Sequence, residues 1–168
     1  ASSYGDNEKT FKDCGFLDVA GEYYQNIGVD GVEFDFNGGR DNKIKISKIV
    51  TEADVIISIP KFKSHGLTIT SGAIKNSFGY VLGAQKAGLH VESGGPNRFG
   101  EFIVDVFRLR VPDLFIMDAV VGMEGNGPAS TEMRFIGKIL ASDNGVAMDA
   151  VMARIMGLDP SVLYYLRY

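Results

Sequence analysis

The chain has 168 residues, 45% of them apolar and 23% charged, with a net charge of −4. That is the profile of one globular domain with a real core, and its acidity disfavours nucleic acid or a membrane surface as the partner of the whole domain. No run approaches the roughly 18 consecutive apolar residues of a membrane span and no signal peptide is visible, so a cytoplasmic location is the expectation. The one cysteine, Cys14, excludes an intramolecular disulfide, a four-cysteine zinc site and an iron–sulfur cluster held within this chain.

In chain order, Phe11, Cys14, Leu17, Val19, Ala20 and Tyr24 fall at mostly helical spacing over 9–26, which predicts a helix with Cys14 buried in it. Residues 32–36 and 43–50 alternate like strands, with Ile44, Ile46 and Ile49 inward. Ala53 to Ile59 is a nearly continuous apolar run ended by Pro60, the pattern of a central strand. A helix is predicted over 72–82 with Thr70-Ser71 as its cap. A Gly-rich loop follows at 83–98, then a helix over 99–109. Leu114 to Val121 and Phe135 to Ala141 read as buried strands around a Gly-rich loop at 122–128, and Ser142-Asp143-Asn144 caps a last long helix at 145–156. Asp159-Pro160 would open one more short helix, with Tyr164, Tyr165 and Tyr168 exposed near its end. Strands alternating with amphipathic helices predict a single α/β domain, three-layered, with a mostly parallel sheet and helices on both faces. The missing initiator Met and the abrupt last helix suggest a piece trimmed at both ends from a longer chain.

Charge is segregated along this pattern. No acidic residue lies between Asp54 and Glu92, a window holding Lys61, Lys63, Lys75, Lys86, His65 and His90. If the chain stays extended after Pro60, Lys61, Lys63 and His65 project to one side, about 7 Å apart, at the carboxyl end of a strand, where open α/β sheets bind ligands. Lys75 sits near the positive end of its predicted helix, a place that suits it poorly unless an anion binds there, and the backbone amides of Gly72 and Ala73 could help hold one. The segment therefore reads as a receiver for a small anionic ligand, a phosphate or carboxylate, with His65 as the proton-moving group. The rival reading of these residues is a solvated lysine edge.

The second candidate cluster is acidic. Asp118 closes a buried strand, and Glu124 and Asn126 follow within one short loop. Their oxygens could hold a divalent cation such as Mg²⁺, orient a substrate or take part in proton transfer; the plain alternative is a turn whose side chains bond only the backbone. Asp149 lies near the apolar arc of the last helix, where a carboxylate needs a partner, and a salt bridge is the expected one. No P-loop, GxGxxG fingerprint, nucleophile elbow or zinc motif is present.

Three blocks in order, DVIISIPKFKSHGLTITSGAIKNSFG, PDLFIMDAVVGMEGNGP and ILASDNGVAMDAVMARIMGLDP, resemble a prokaryotic family known as domain of unknown function 362. The resemblance covers about residues 50–168 and is loose before that. It implies motif positions at Pro60, Lys61, Lys63, His65, Gly66, Lys75, Asn76, Asp118, Glu124, Gly125, Gly127, Pro128 and Asp149. Family members often carry a ferredoxin-like module with two four-iron clusters, which implies a redox setting; this chain lacks the cysteines for one. Two functions follow as expectations. One is an enzyme-like site in which Lys61, Lys63, Gly72, Lys75, Asn76 and Asn126 bind ligand, His65, Asp118 and Glu124 carry the chemistry, and Asp118 and Glu124 bind any metal. The other is a docking module whose basic edge receives an acidic redox partner such as a ferredoxin. The first requires the basic and acidic clusters to share a cavity. The second requires a broad, flat basic surface.

Overall fold

A computed structural model describes residues 7–38 and 42–168 of the chain. The fold is α/β, as the alternation of elements predicts. Strands β1 (Gly31–Asp35) and β2 (Lys43–Ser47) form an antiparallel hairpin. The main sheet has five strands: β3 (Ile57–Ser58), β4 (Lys61–His65), β5 (Ile69–Thr70), β6 (Leu114–Met123) and β7 (Met133–Ser142). β3, β4 and β6 run parallel, while β5 and β7 are antiparallel to their neighbours. Ile57 pairs with Leu114, Ser58 with Phe115 and Lys61 with Asp118. The constant offset means that β3 and β4 are one strand along one edge of β6, interrupted at Ile59-Pro60, where proline cannot donate to the ladder. The apolar run 53–59 thus yields only two strand residues, and the regular extension lies beyond Pro60. Past Asp118 the offset changes, with Lys63 opposite Met123, so β6 bulges where the site begins.

One sheet face is the core. Ser58, Phe62, Phe115, Met117 and Ala119 are buried there, under α4 (Ala73–Asn76), α6 (Pro96–Leu109) and α7 (Gly145–Ile155). α6 supplies the largest share, with Phe99, Phe102, Ile103, Val106 and Phe107 all buried at helical spacing. The other face carries Ile57, Ile59, Lys61, Asp118 and Ile139, and these isoleucines are 53%, 61% and 68% exposed. β7, expected as a buried strand, lies at the sheet edge and is exposed along most of its length.

Other boundaries differ for local reasons. The first predicted helix is α1 (Asn7–Asp13), α2 (Phe16–Ala20) and a 3-10 turn, Gly21–Tyr23. Gly15, at φ 77°, breaks it, and Cys14 is an exposed turn residue, not a core one. Strand β2 stops at Ser47 and continues as α3 (Lys48–Glu52), leaving Ile49 exposed. The helix expected at 72–82 is the four-residue α4 followed by a 3-10 turn, Ser77–Tyr80. The supposed loop at 83–98 contains α5 (Gly83–Glu92), and α6 begins at Pro96, a favoured first helical position. There His90 packs against the rings of Phe78 and Phe99. Asn144 caps α7 as predicted, accepting from the Ala147 amide. The segment after Asp159 is 3-10, and its Tyr165 is fully buried, not exposed.

Candidate functional site

The basic and acidic segments meet. Strand β4 carries Lys61, Lys63 and His65 into a turn that is stitched to the Gly-rich loop after β6. The Ser64 hydroxyl donates to the Gly125 carbonyl at 2.8 Å, the Gly66 amide to the Gly127 carbonyl at 3.0 Å, and Lys63 Nζ to the Pro128 carbonyl at 3.3 Å. A side chain at Gly127 would collide with the Ser64 carbonyl, so the two backbones pack at glycine distance. Against this junction lies a cavity of about 840 Å³, walled by Phe62, Ser64, His65 and Gly66 from the basic side and by Gly122 to Gly125 from the other. Residues 134–136 of β7 and 155–158 at the end of α7 complete it.

His65 is buried, and its Nδ1 accepts from the amides of Leu67 and Thr68 at 3.1 and 3.3 Å. The ring proton therefore sits on Nε2. Burial, then the charges of Lys75, Lys63 and His90, lower its pKa to about 3. At neutral pH His65 is a neutral N–H donor, which does not suit the proton-moving role expected of it from sequence. Around it is a cluster of amines. Burial, with Lys63 and Lys86 nearby, brings Lys75 down to about 8; burial alone brings Lys86 to about 8 and lowers Lys63. Lys75 has no carboxylate partner among the described residues.

Lys61 is not part of that cluster. It lies on the open sheet face, ion-paired with Asp118 at 2.5 Å, and Asp118 also accepts from the Val120 amide. The Lys61 ammonium holds the Asp118 carboxyl below its ordinary range. Glu124, on the cavity wall, pairs with Arg134 at 2.9 Å. The two proposed metal ligands each face a cation instead, and among the described residues no group of three or more His, Cys, Asp or Glu is arranged to hold a metal. These residues do not fit a divalent-cation seat. Asn126 is exposed in the loop beside Gly66, and exposed Asn76 donates to Ser58 Oγ at 2.9 Å; neither lines the cavity, and nor do Lys63 and Lys75.

The anion seat expected at Gly72 is filled from within. The amides of Ala73 and Ile74 donate to Asp149 Oδ1 and Oδ2 at 2.5 and 3.1 Å. A Cβ at Gly72 would overlap that carboxylate. Asp149 is completely buried, and burial raises its pKa to about 7 against the opposing pull of the two amides and the Tyr165 hydroxyl. Tyr165 in turn bonds Thr70 Oγ1 at 2.7 Å. The partner of Asp149 is thus a pair of backbone amides, not the salt bridge expected from sequence. Sequence reasoning also missed Arg134 and residues 155–158. Only the β6–β7 register, which sets Arg134 opposite Gly122, and the α7 packing bring them in.

A thylakoid-associated protein of Synechocystis sp. (strain ATCC 27184 / PCC 6803 / Kazusa) is 42% identical over 138 residues, which is 77% of this chain and 43% of that protein. The chain thus spans less than half the length of that curated relative. No solved structure matches it. The family model described as domain of unknown function (DUF362) matches residues 1–154, so the kinship takes in the first 50 residues as well as the motif blocks, and the chain belongs to that family.

Proposed function

We propose that the domain binds a small organic or inorganic anion at the carboxyl edge of its sheet, through Lys63 and Lys75 with His65 as a neutral hydrogen-bond donor. The observation that carries this is Lys75: a desolvated amine, close to two other lysines, without a carboxylate partner among the described residues. An unpaired amine withdrawn from water is costly, and a bound anion would repay that cost. Lys63 and Lys75 are partly withdrawn from solvent, which favours a small anion over docking of an acidic protein. Lys75, whose pKa of about 8 lies near neutrality, replaces His65 as the proton-moving group of the site.

The test is a thermal-shift titration with inorganic phosphate and with citrate. Wild-type and Lys61→Ala proteins should be stabilised by several degrees at saturating anion, and Lys75→Ala should not respond. An equal response in Lys75→Ala, or none in the wild type, removes the proposal.

A further inference from the structure

We infer that the cavity takes the apolar body of an amphipathic organic acid whose charged end meets His65, within the field of Lys63 and Lys75. This rests on the anion reading above and adds the ligand class. The cavity of about 840 Å³ lies within the range that holds drug-sized molecules and is far too roomy for a phosphate or acetate alone. Its wall is mainly apolar, with Phe62, Ile69, Met123, Ile136, Ile155 and Leu158 contributing. The two charged residues on the wall, Glu124 and Arg134, are paired with each other. Such a space gains most from burying hydrocarbon.

The polar end is also placed. Ser64 and His65 line the cavity; Lys63 and Lys75 do not, but Lys63 directly precedes Ser64 in β4 and both lysine charges act on the His65 ring. The Ser64 hydroxyl donates to the Gly125 carbonyl and His65 Nδ1 is spent on two amides. That leaves the His65 Nε2–H as a donor for a ligand oxygen. A molecule with a carboxylate toward His65 and a chain or ring toward Ile136 and Ile155 satisfies both ends.

Calorimetric titration with acetate, octanoate and 1-octanol tests it. Each buried methylene contributes about fourfold in affinity, so octanoate should bind at least about 50-fold more tightly than acetate if three or more are buried. Phe135→Glu and Ile155→Glu change wall positions that are 78% and 37% exposed, so the core is spared. Both variants should bring octanoate to within a few fold of acetate while leaving the acetate response intact. If octanoate binds no better than acetate in the wild type, or if both wall variants keep the chain-length gain, the inference is overturned and the anion reading stands. If octanol binds as tightly as octanoate, the anion reading fails and the inferred organic acid with it. If none of the three binds, both fail.

Discussion

Lys61 and Lys75 come from the same acid-free stretch and meet opposite fates. Lys61 points from β4 onto the open sheet face and pairs with Asp118, with both side chains nearly half exposed. Lys75 turns inward on a single helical turn, has no carboxylate partner among the described residues, and is pushed down to about 8 by burial and by two neighbouring lysines. A paired surface charge explains itself, since water and a counter-charge already solvate it. A half-buried unpaired one does not, and it marks where a ligand would repay desolvation. The acids divide in the same way. Asp118 and Glu124 are surface partners of Lys61 and Arg134, whereas Asp149 is buried and held by backbone amides.

The comparison is broken most severely by evicting Asp149, because that carboxylate ties α7 to the turn bearing Lys75. Gly72→Ala places a methyl group on the Asp149 oxygens. Overpacking and two stranded amides together should cost about 3–5 kcal/mol in denaturant unfolding. A loss under about 1 kcal/mol would mean that the Asp149 cap contributes little.

Replacing Lys75 by Met comes next and should move stability and binding in opposite directions. At pH 7 the variant should gain about 1–2 kcal/mol, since the folded state no longer buries an unpaired ammonium, and should lose anion binding at least tenfold. The sign with pH follows from a folded pKa of about 8 lying below the ordinary 10.5. The unfolded chain holds that proton more tightly, so the penalty on the wild type is full below about pH 8 and fades as pH rises toward 10.5. The stability gap between variant and wild type should close over that range. A gap that stays constant would show that Lys75 is not desolvated.

His65 and Asp149 should leave opposed marks at lower pH. His65 has a folded pKa of about 3 against an ordinary 6.5, so its contribution is lost as pH falls from 6.5 toward 3. Asp149 is raised from 3.8 to about 7, so its contribution is present below about 3.8 and is lost as pH rises through 7. Over the overlap the two offset each other, and the wild-type profile should be flatter than either variant's. His65→Gln should become more stable as pH falls there, and Asp149→Asn less stable. Parallel profiles in all three proteins would refute the assignment.

Some parts of the molecule are legible in its residues and others are not. The α/β class was readable because Leu114–Met123 and Gly145–Ile155 carry long, unmixed patterns with clear caps. The α5 helix was not, since its glycines at 83 and 88 resemble punctuation while Leu89 and His90 pack from within. β7 misled because an apolar run implies cover, and pairing with β6 satisfies only one of its edges. Within the site, acid-free spacing marked Lys63, His65 and Lys75. It could not tell that Lys61 is taken by Asp118, since that pair depends on the parallel register between β4 and β6. Nor could it reveal that the seat at Gly72 belongs to Asp149, 77 positions away.

The smallest effect is the most discriminating one. Lys61→Ala removes a short ion pair, yet both partners are solvent-accessible, and exposed pairs contribute roughly 0–1 kcal/mol. The variant should lie within about 0.5 kcal/mol of wild type, and a double-mutant cycle with Asp118→Ala should give a coupling below about 1 kcal/mol. Its anion response should match the wild type, because Lys61 occupies the face opposite the core and is already paired with Asp118. A fall in binding equal to that of the Lys75 variant would place the ligand on the open sheet face, where Lys61 and Asp118 would have to separate to receive it. A coupling above about 2 kcal/mol would say that this pair is dry, which requires some other surface to cover Ile57, Ile59 and Ile139.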